Sequence, residues 1–265
     1  MRPPKTLGSP EGTVLLLERP LYGLKQSGRE WYIKACRGLK TLGFRPCYTN
    51  PSIFITEDRS LIIGLYIDDI LVLGKDLRAT SAVIQGIKEI WEIKDLGDVD
   101  LILGLKILRD RVQGTLKVNQ TAYIQGLIDR FRLQDAKPIG LPIGDRNTLV
   151  QGITDELQAD QGLYQQAIGA LIWVTKGTRA DIQYAVGQLS QYCNMPTIRH
   201  WNSVLRVLRY LKGTAEYSIL YGRKGATGPK SPGLQGYYDA DYVRDIVDRK
   251  SVTGHLFTIN RGPVT

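Results

Sequence analysis

The chain has 265 residues, with 35 Lys and Arg against 26 Asp and Glu, which gives a formal net charge of +9. A hydrophobic fraction of 43% and a charged fraction of 23% are ordinary for globular proteins, and this length predicts one to three domains. No run approaches the roughly 18 apolar residues of a membrane span, and the N-terminus has no apolar segment that would direct secretion. Three scattered cysteines and two distant histidines argue against a disulfide framework, a zinc site and a catalytic triad.

These features predict an intracellular protein, in the cytoplasm and also in the nucleus, that is not secreted and has no membrane partner. The positive charge suits a polyanionic partner, of which nucleic acid is the commonest. Simple solubility explains the charge equally well, so charge alone does not choose between the two. The sequence gives no prediction of the oligomeric state.

The first part of the chain predicts mixed helices and strands. A helix is expected over residues 29–42, where apolar side chains recur on one face and Gly43 follows. A strand is expected over 52–56, and an apolar run over 61–73 reads as strand interrupted by two aspartates. The next expected elements are a helix through 83–91 and two strands at 101–108 and 116–118, joined by a turn at Gly114.

Beyond residue 120 helices predominate. Apolar residues at 124, 127, 128 and 131 repeat at helical spacing, and a Pro- and Gly-rich linker is expected over 137–152. Three helices follow, with Thr178 as a candidate N-cap of the second and Thr197 as the N-cap of the third. A second linker is expected over 221–233, before strands at 235–239 and 254–259.

Asp68 and Asp69 are the sharpest chemical feature. The two adjacent carboxylates stand between apolar runs at 61–67 and 70–73. Burying both without a cation would be very costly, because like charges repel and both lose their hydration. They lie either at the exposed tip of a hairpin, where Asp is a favoured turn residue, or around a divalent cation that serves phosphoryl transfer.

The surrounding blocks make a resemblance specific. Tyr66-Ile67-Asp68-Asp69 resembles the Tyr-x-Asp-Asp box of reverse transcriptases, and the upstream segment 21–32, LYGLKQSGREWY, is similar to the segment before this box in copia-type retroelements. Further similar blocks follow in order: LGLKI at 103–107, TRADI at 178–182, HW at 200–201, RVLRYLKGT at 206–214, and DADY at 239–242 with DRKS at 248–251. The resemblance is collinear over nearly the whole chain.

The resemblance implies an α+β fold in several parts. Residues 1–115 would form a partial reverse transcriptase palm, an antiparallel sheet with helices but without fingers. Residues 116–220 would form a mainly helical thumb and connection, 221–233 a linker, and 234–265 the start of an incomplete ribonuclease-H-like sheet. The parent enzyme would copy RNA into DNA.

Particular residues take roles by the same resemblance. Asp68 and Asp69 would be catalytic and would hold Mg²⁺, with Mn²⁺ as a substitute, while Tyr66 would lie near the primer end. The residues that would line the pocket for the incoming dNTP and its template base are Tyr22, Gly23, Lys25 and Gln26. Asp239 would be the first metal ligand of the ribonuclease H. The partners would be an RNA/DNA template–primer and dNTP.

Basic residues on the last predicted helix have two interpretations. Arg199, Arg206 and Arg209 cluster opposite its apolar stripe and could follow a phosphate backbone. A solvated helix face explains the same pattern.

Two observations qualify the implied activity. The family's further palm aspartate precedes the 21–32 block by several tens of residues, and the only acids upstream here are Glu11 and Glu18. Ala180, Tyr238 and Tyr242 also depart from the family's usual residues. We therefore expect the chain alone to be inactive or nearly so. The alternative is a non-catalytic nucleic-acid-binding remnant, decayed or co-opted.

Overall fold

A computed structural model describes residues 5–10, 12–16, 21, 23–144, 157–222, 233–241, 252–259 and 262–264. These residues contain six α-helices and eleven strands in three sheets, and every strand pair is antiparallel. The predicted α+β class is confirmed at this level. The chain divides into two compact units, Met1–Asp98 and Val99–Thr265. Among the described helices, none combines the length and apolar character that a bilayer crossing requires.

The first unit places two helices with a four-stranded sheet of order β1-β2-β3-β4. Its elements are α1 (Ser27–Thr41), β1 (Arg45–Pro46), β2 (Ile53–Ile55), β3 (Leu61–Tyr66), β4 (Asp69–Gly74) and α2 (Leu77–Ile90). The predicted helices and strands of this region are confirmed, with bounds shifted by a few residues. The apolar run at 61–73 folds back on itself as a hairpin of β3 and β4.

The core of the first unit follows the sequence periodicities. Ala35 and Leu39, four residues apart on α1, are fully buried, as expected for neighbours on one helix face. Ile63 and Leu65 are buried from alternate positions of β3, the period of a strand. Gly38 gives close approach to Trp91, since a Cβ added there would lie 2.5 Å from a ring carbon of that side chain.

The second unit begins with a sheet of order β5-β6-β7-β8. Its strands are β5 (Leu101–Ile102), β6 (Leu105–Asp110), β7 (Thr115–Asn119) and β8 (Ile219–Gly222). The prediction of one strand over 101–108 is wrong, because Leu103 and Gly104 have φ values of 51° and 74° and form a two-residue hairpin loop. The turn predicted at Gly114 is confirmed.

Strand β8 was not predicted. The linker expected over 221–233 starts inside it, because Tyr221 pairs with Leu116 and Gly222 with Thr115. A strand of four residues beside a Gly- and Lys-rich stretch carries little local signal, and its hydrogen bonds come from a segment about a hundred residues away. Residues 223–232 lie outside the described residues.

Four helices build the main core of the second unit. They are α3 (Thr121–Arg130), α4 (Gln161–Gly177), α5 (Gln183–Ser190) and α6 (Ile198–Gly213). Thr197 is confirmed as the N-cap of α6, where its backbone N–H donates to Nδ1 of His200 at 3.1 Å. Thr178 is not the N-cap of α5. It ends α4 and donates its hydroxyl to Gln120 Oε1 at 2.9 Å, and a 3₁₀ turn at Ala180–Ile182 separates it from α5.

A buried arginine ties this helical core together. The Arg179 side chain is 1% exposed and donates to both carboxylate oxygens of Asp181, at 2.9 and 2.8 Å. It also donates to the carbonyl and the hydroxyl of Thr214, at 2.9 and 2.6 Å. The Tyr210 hydroxyl donates to Asp181 at 2.8 Å, and the rings of Tyr210 and Tyr217 lie 5.5 and 5.3 Å from the guanidinium carbon. The charge is therefore paired, hydrogen-bonded and flanked by aromatic rings, as a buried cation requires.

The remaining sheet has the order β11-β10-β9. Its strands are β9 (Gln235–Asp241), β10 (Val252–Ile259) and β11 (Gly262–Pro263). The strands predicted at 235–239 and 254–259 are confirmed, and each extends two residues toward the other along the chain.

Candidate metal and nucleotide site

The two aspartates stand at the tip of the β3–β4 hairpin. Tyr66 pairs with Asp69, which leaves Ile67 and Asp68 as a two-residue loop. Ile67 has a φ of 49°, in the left-handed region that disfavours β-branched residues. Two-residue hairpin loops need a positive φ at their first residue, so the loop imposes on Ile67 a conformation that its side chain resists.

Both carboxylates face solvent. Asp68 and Asp69 are exposed, and within the described part of the chain neither carboxylate takes a hydrogen bond or an ion pair. Their hydration avoids the penalty that burial would impose, so the fold tolerates the pair without a cation. Among the described residues no group of three His, Cys, Asp or Glu side chains could enclose a metal ion. The pair offers solvent-exposed oxygen ligands.

A side chain of helix α1 forms a hydrogen bond with the backbone of the tip. The indole Nε1–H of Trp31 donates to the carbonyl oxygen of Ile67 at 2.7 Å. The Trp31 ring is tilted against Trp91, with 5.6 Å between ring centroids. Helical periodicity places Trp31 on the apolar face of the helix, but nothing local in the sequence reveals this bond across 36 positions.

The predicted nucleotide-binding residues lie on the turn that leads into α1. Gly23 has a φ of 92°, a conformation that favours glycine, and Gln26 is the N-cap residue without a side-chain cap bond. Lys25 and Gln26 are exposed, and Tyr66 is 55% exposed beside the aspartates. Tyr22 lies outside the described residues. The structure thus places Gly23, Lys25 and Gln26 at the start of the helix that contacts the tip.

The predicted phosphate-contacting arginines are engaged to different degrees. Arg209 donates from Nε to the carbonyl of Lys137 at 2.7 Å, and the neighbouring Lys212 ammonium donates to the carbonyls of Leu133, Gln134 and Ala136. Arg206 Nε is buried without a hydrogen-bond partner in the described residues, and Arg199 is half-buried. Part of this basic face therefore holds the chain that follows α3. A contact with phosphate remains a prediction.

Asp239 lies on β9 in the second unit. It is exposed and stands opposite Gly254 in the β9–β10 register. The strand predicted around it is present, and its role as a metal ligand remains a prediction. Tyr242, which departs from the family's usual residue, lies outside the described residues.

Comparison with known proteins assigns the class. Residues 1–145 match the family model described as reverse transcriptase (RNA-dependent DNA polymerase), which is more than half of the chain. The chain therefore belongs to the reverse transcriptase family, in its copia-type retrotransposon branch.

The relatives of this chain include transposon proteins from plants and yeast. The chain is 34% identical over 260 residues to the retrovirus-related Pol polyprotein from transposon TNT 1-94 of Nicotiana tabacum, a match that covers 95% of this chain and 19% of the relative. It is 34% identical to the corresponding polyprotein from transposon RE2 of Arabidopsis thaliana, over 95% of this chain and 17% of the relative. A transposon Ty5-1 protein of Saccharomyces cerevisiae is 30% identical over 92% of this chain and 78% of the relative. No solved structure shows significant similarity.

Proposed function

We propose that this chain contributes Asp68 and Asp69 to the active site of a Mg²⁺-dependent RNA-directed DNA polymerase. The supporting observation is the β3–β4 tip, which presents two adjacent, exposed carboxylates in a chain of this family. Carboxylate oxygens suit hard divalent ions, and both Mg²⁺ and Mn²⁺ accept such donors. The residues present fit these ions in donor chemistry. Because the tip is open to solvent, water and substrate phosphate can supply the remaining ligands.

The tip and the turn before α1 then have complementary roles. Bound divalent ions would activate the primer 3′-hydroxyl and neutralise charge on the triphosphate. Asp68 and Asp69 would hold these ions, and the exposed Tyr66 would lie beside the primer end. The pocket for dNTP and its template base would be lined by Tyr22, Gly23, Lys25 and Gln26, where Gly23 lets the backbone approach the substrate closely.

The other regions of the chain would belong to the same polymerase and its ribonuclease H. Residues 1–115 form the partial palm, 116–220 the thumb and connection, and 234–265 the start of a ribonuclease-H-like sheet with Asp239 as a metal ligand. The template–primer is the nucleic-acid partner, and the protein works inside the cell. The chain spans about a fifth of the first two polyproteins that it matches, so these activities are those of a longer protein.

Metal binding tests the role of the tip directly. We expect Mn²⁺ to bind the unmodified chain weakly, as detected by loss of the free-ion signal in electron paramagnetic resonance. The Asp68→Asn variant should lose this binding, while Asp110→Asn, at the end of β6, should keep it. Equal Mn²⁺ binding by the unmodified chain and Asp68→Asn would contradict the proposal.

Primer extension tests what the 265 residues do alone. Two-metal chemistry requires more carboxylates than one pair, and the described residues bring no third ligating side chain to Asp68 and Asp69. We expect no synthesis above background on an RNA template with Mg²⁺. Robust synthesis that disappears in Asp68→Asn would show that the isolated chain is a complete polymerase.

A second candidate function is binding without catalysis. It is favoured by the net charge of +9 and by the basic residues of α6. Such a remnant would bind template–primer duplex equally well with or without the Asp68 carboxylate. An unmodified chain that binds the duplex but binds no Mn²⁺ would favour this candidate.

A further inference from the structure

We infer that Trp31 is a positioning residue for the catalytic tip, holding the Ile67–Asp68 peptide so that the Cα of Asp68 keeps one position. The inference rests on the proposed function, in which the Asp68 carboxylate binds a divalent ion. The contact that supports it is the 2.7 Å hydrogen bond from the Trp31 indole to the Ile67 carbonyl.

The bonded carbonyl belongs to the peptide group that contains the Asp68 nitrogen. A peptide group is planar, so fixing the direction of its C=O also fixes the direction of the following N–H. That plane also contains the Asp68 Cα, so it sets the position from which the Asp68 side chain extends. The indole therefore fixes the place of Asp68 on the tip through one planar unit, without touching the carboxylate itself.

Ile67 makes this anchor necessary. Its φ of 49° is unfavourable for a β-branched residue, and such conformations persist only where surrounding contacts impose them. Rotation about the N–Cα bond of Ile67 would relieve the strain, and it would carry the Ile67 carbonyl away from the Trp31 indole. The Trp31 bond opposes that rotation, because the indole would lose its acceptor.

The anchor is itself rigid. Trp31 lies one helical turn before the buried Ala35, and its ring is tilted against Trp91. The Trp91 ring in turn fits over Gly38, where any side chain would collide with it. A continuous series of contacts thus runs from the packing of α1 to the Ile67 carbonyl.

Four variants separate this role from general packing. Trp31→Phe keeps an aromatic ring against Trp91 but removes the N–H, and we expect Mn²⁺ binding to weaken about two- to tenfold, the effect of one hydrogen bond. Trp91→Phe alters the same ring pair and keeps the Trp31 N–H, so its Mn²⁺ affinity should stay within about twofold of the original. Ile67→Gly combined with Trp31→Phe should recover part of the loss, since glycine adopts a positive φ without strain. Asp68→Asn sets the baseline without the metal site.

Different Mn²⁺-binding results would contradict the metal-binding role of Asp68 and the positioning role of Trp31. Mn²⁺ binding that is absent or independent of Asp68 would overturn the proposed function. Binding that depends on Asp68 but is unchanged in Trp31→Phe would overturn the role of Trp31 alone. A loss in Trp91→Phe as large as that in Trp31→Phe would also overturn it, since packing would then explain both.

A measurement on the unmodified chain covers the case in which Trp31→Phe fails to fold. The Trp31 indole proton should exchange with deuterium at least about tenfold more slowly than that of Trp173, which is 41% exposed and has no indole hydrogen bond in the described residues. Nuclear magnetic resonance resolves both signals. Equal exchange rates would show that the bond is not maintained in solution and would overturn the inference.

Discussion

Arg179 is a buried charged side chain, and its hydrogen bonds to Asp181 and Thr214 offset the cost of burying the charge. Replacing it with methionine keeps much of the apolar stem but removes the guanidinium that donates to Asp181 and to the Thr214 carbonyl, and leaves Asp181 with the Tyr210 hydroxyl as its donor. The substitution removes the four hydrogen bonds of the guanidinium, but water can solvate the 38% exposed Asp181 side chain, so we expect Arg179→Met to lower the free energy of unfolding by about 1–3 kcal/mol. Urea denaturation followed by circular dichroism measures this loss. The exposed Arg130→Met should change stability by no more than about 0.5 kcal/mol, and a comparable loss there would contradict the explanation.

Asp181 gives the same network a pH dependence. Burial raises the pKa of its carboxyl group, but hydrogen bonds from Arg179 and Tyr210 outweigh burial and bring the pKa below its ordinary value of 3.8. A carboxyl group with a lowered folded-state pKa stabilises the protein above its unfolded-state pKa, and this contribution disappears as the pH falls through the folded-state pKa. The contribution is therefore lost in acid, below about pH 4.

Asp181→Asn should accordingly make stability less sensitive to acid. We expect the fall in unfolding free energy from about pH 6 to about pH 3 to be smaller in this variant than in the unmodified chain. Tyr210→Phe removes one of the two donors and should give an intermediate slope. Thermal or urea unfolding at a series of pH values measures these slopes, and parallel curves for all three proteins would contradict the prediction.

At the scale of one element, helix α1 contains two glycines with opposite expected effects. A Cβ at Gly28 would meet nothing within 4 Å, so Gly28→Ala should stabilise the helix by about 0.5–1 kcal/mol through its higher helix propensity. A Cβ at Gly38 would lie 2.5 Å from the Trp91 ring, so Gly38→Ala should destabilise the unit by about 1–3 kcal/mol through overpacking. Chemical denaturation of both variants tests the difference. Stabilisation by Gly38→Ala would show that the ring moves aside freely.

Helix α1 also links the packing around Gly38 to the β3–β4 tip. The Trp91 ring that Gly38→Ala would displace also contacts Trp31, whose indole donates to the Ile67 carbonyl. The matched Gly28→Ala variant lies on the same helix and leaves that contact intact. Mn²⁺ binding by the pair would show whether core packing reaches the tip.

For the whole molecule, the excess of positive charge governs any encounter with nucleic acid. Each neutralised phosphate releases a counterion, so binding of an RNA–DNA template–primer should weaken steeply between about 50 and 200 mM salt. Fluorescence anisotropy with a labelled duplex measures this dependence. Asp68→Asn should bind the duplex at least as tightly, whereas Arg199→Gln should weaken binding and lower the salt slope by about one. No binding at low salt would contradict the proposed partner.

The sequence by itself determined the class of this protein and most of its local structure. Apolar spacing located the helices, a polar pair inside an apolar run located the β3–β4 tip, and Thr197 marked the start of α6. These features depend on residues a few positions apart, where periodicity, capping and turn chemistry act. The order of the blocks around Asp68 and Asp69 then indicated the family that the comparisons show.

Only the tertiary structure decided which distant groups meet. The bond from Trp31 to Ile67 joins positions 36 apart, the Arg179 network reaches Thr214, and β8 finds its partner in β7. No local pattern encodes such contacts, because they depend on the path of the whole chain. The tip shows both contributions: its two carboxylates could be read from the sequence, but the hydrogen bond that orients their loop comes from a helix that only folding brings beside it.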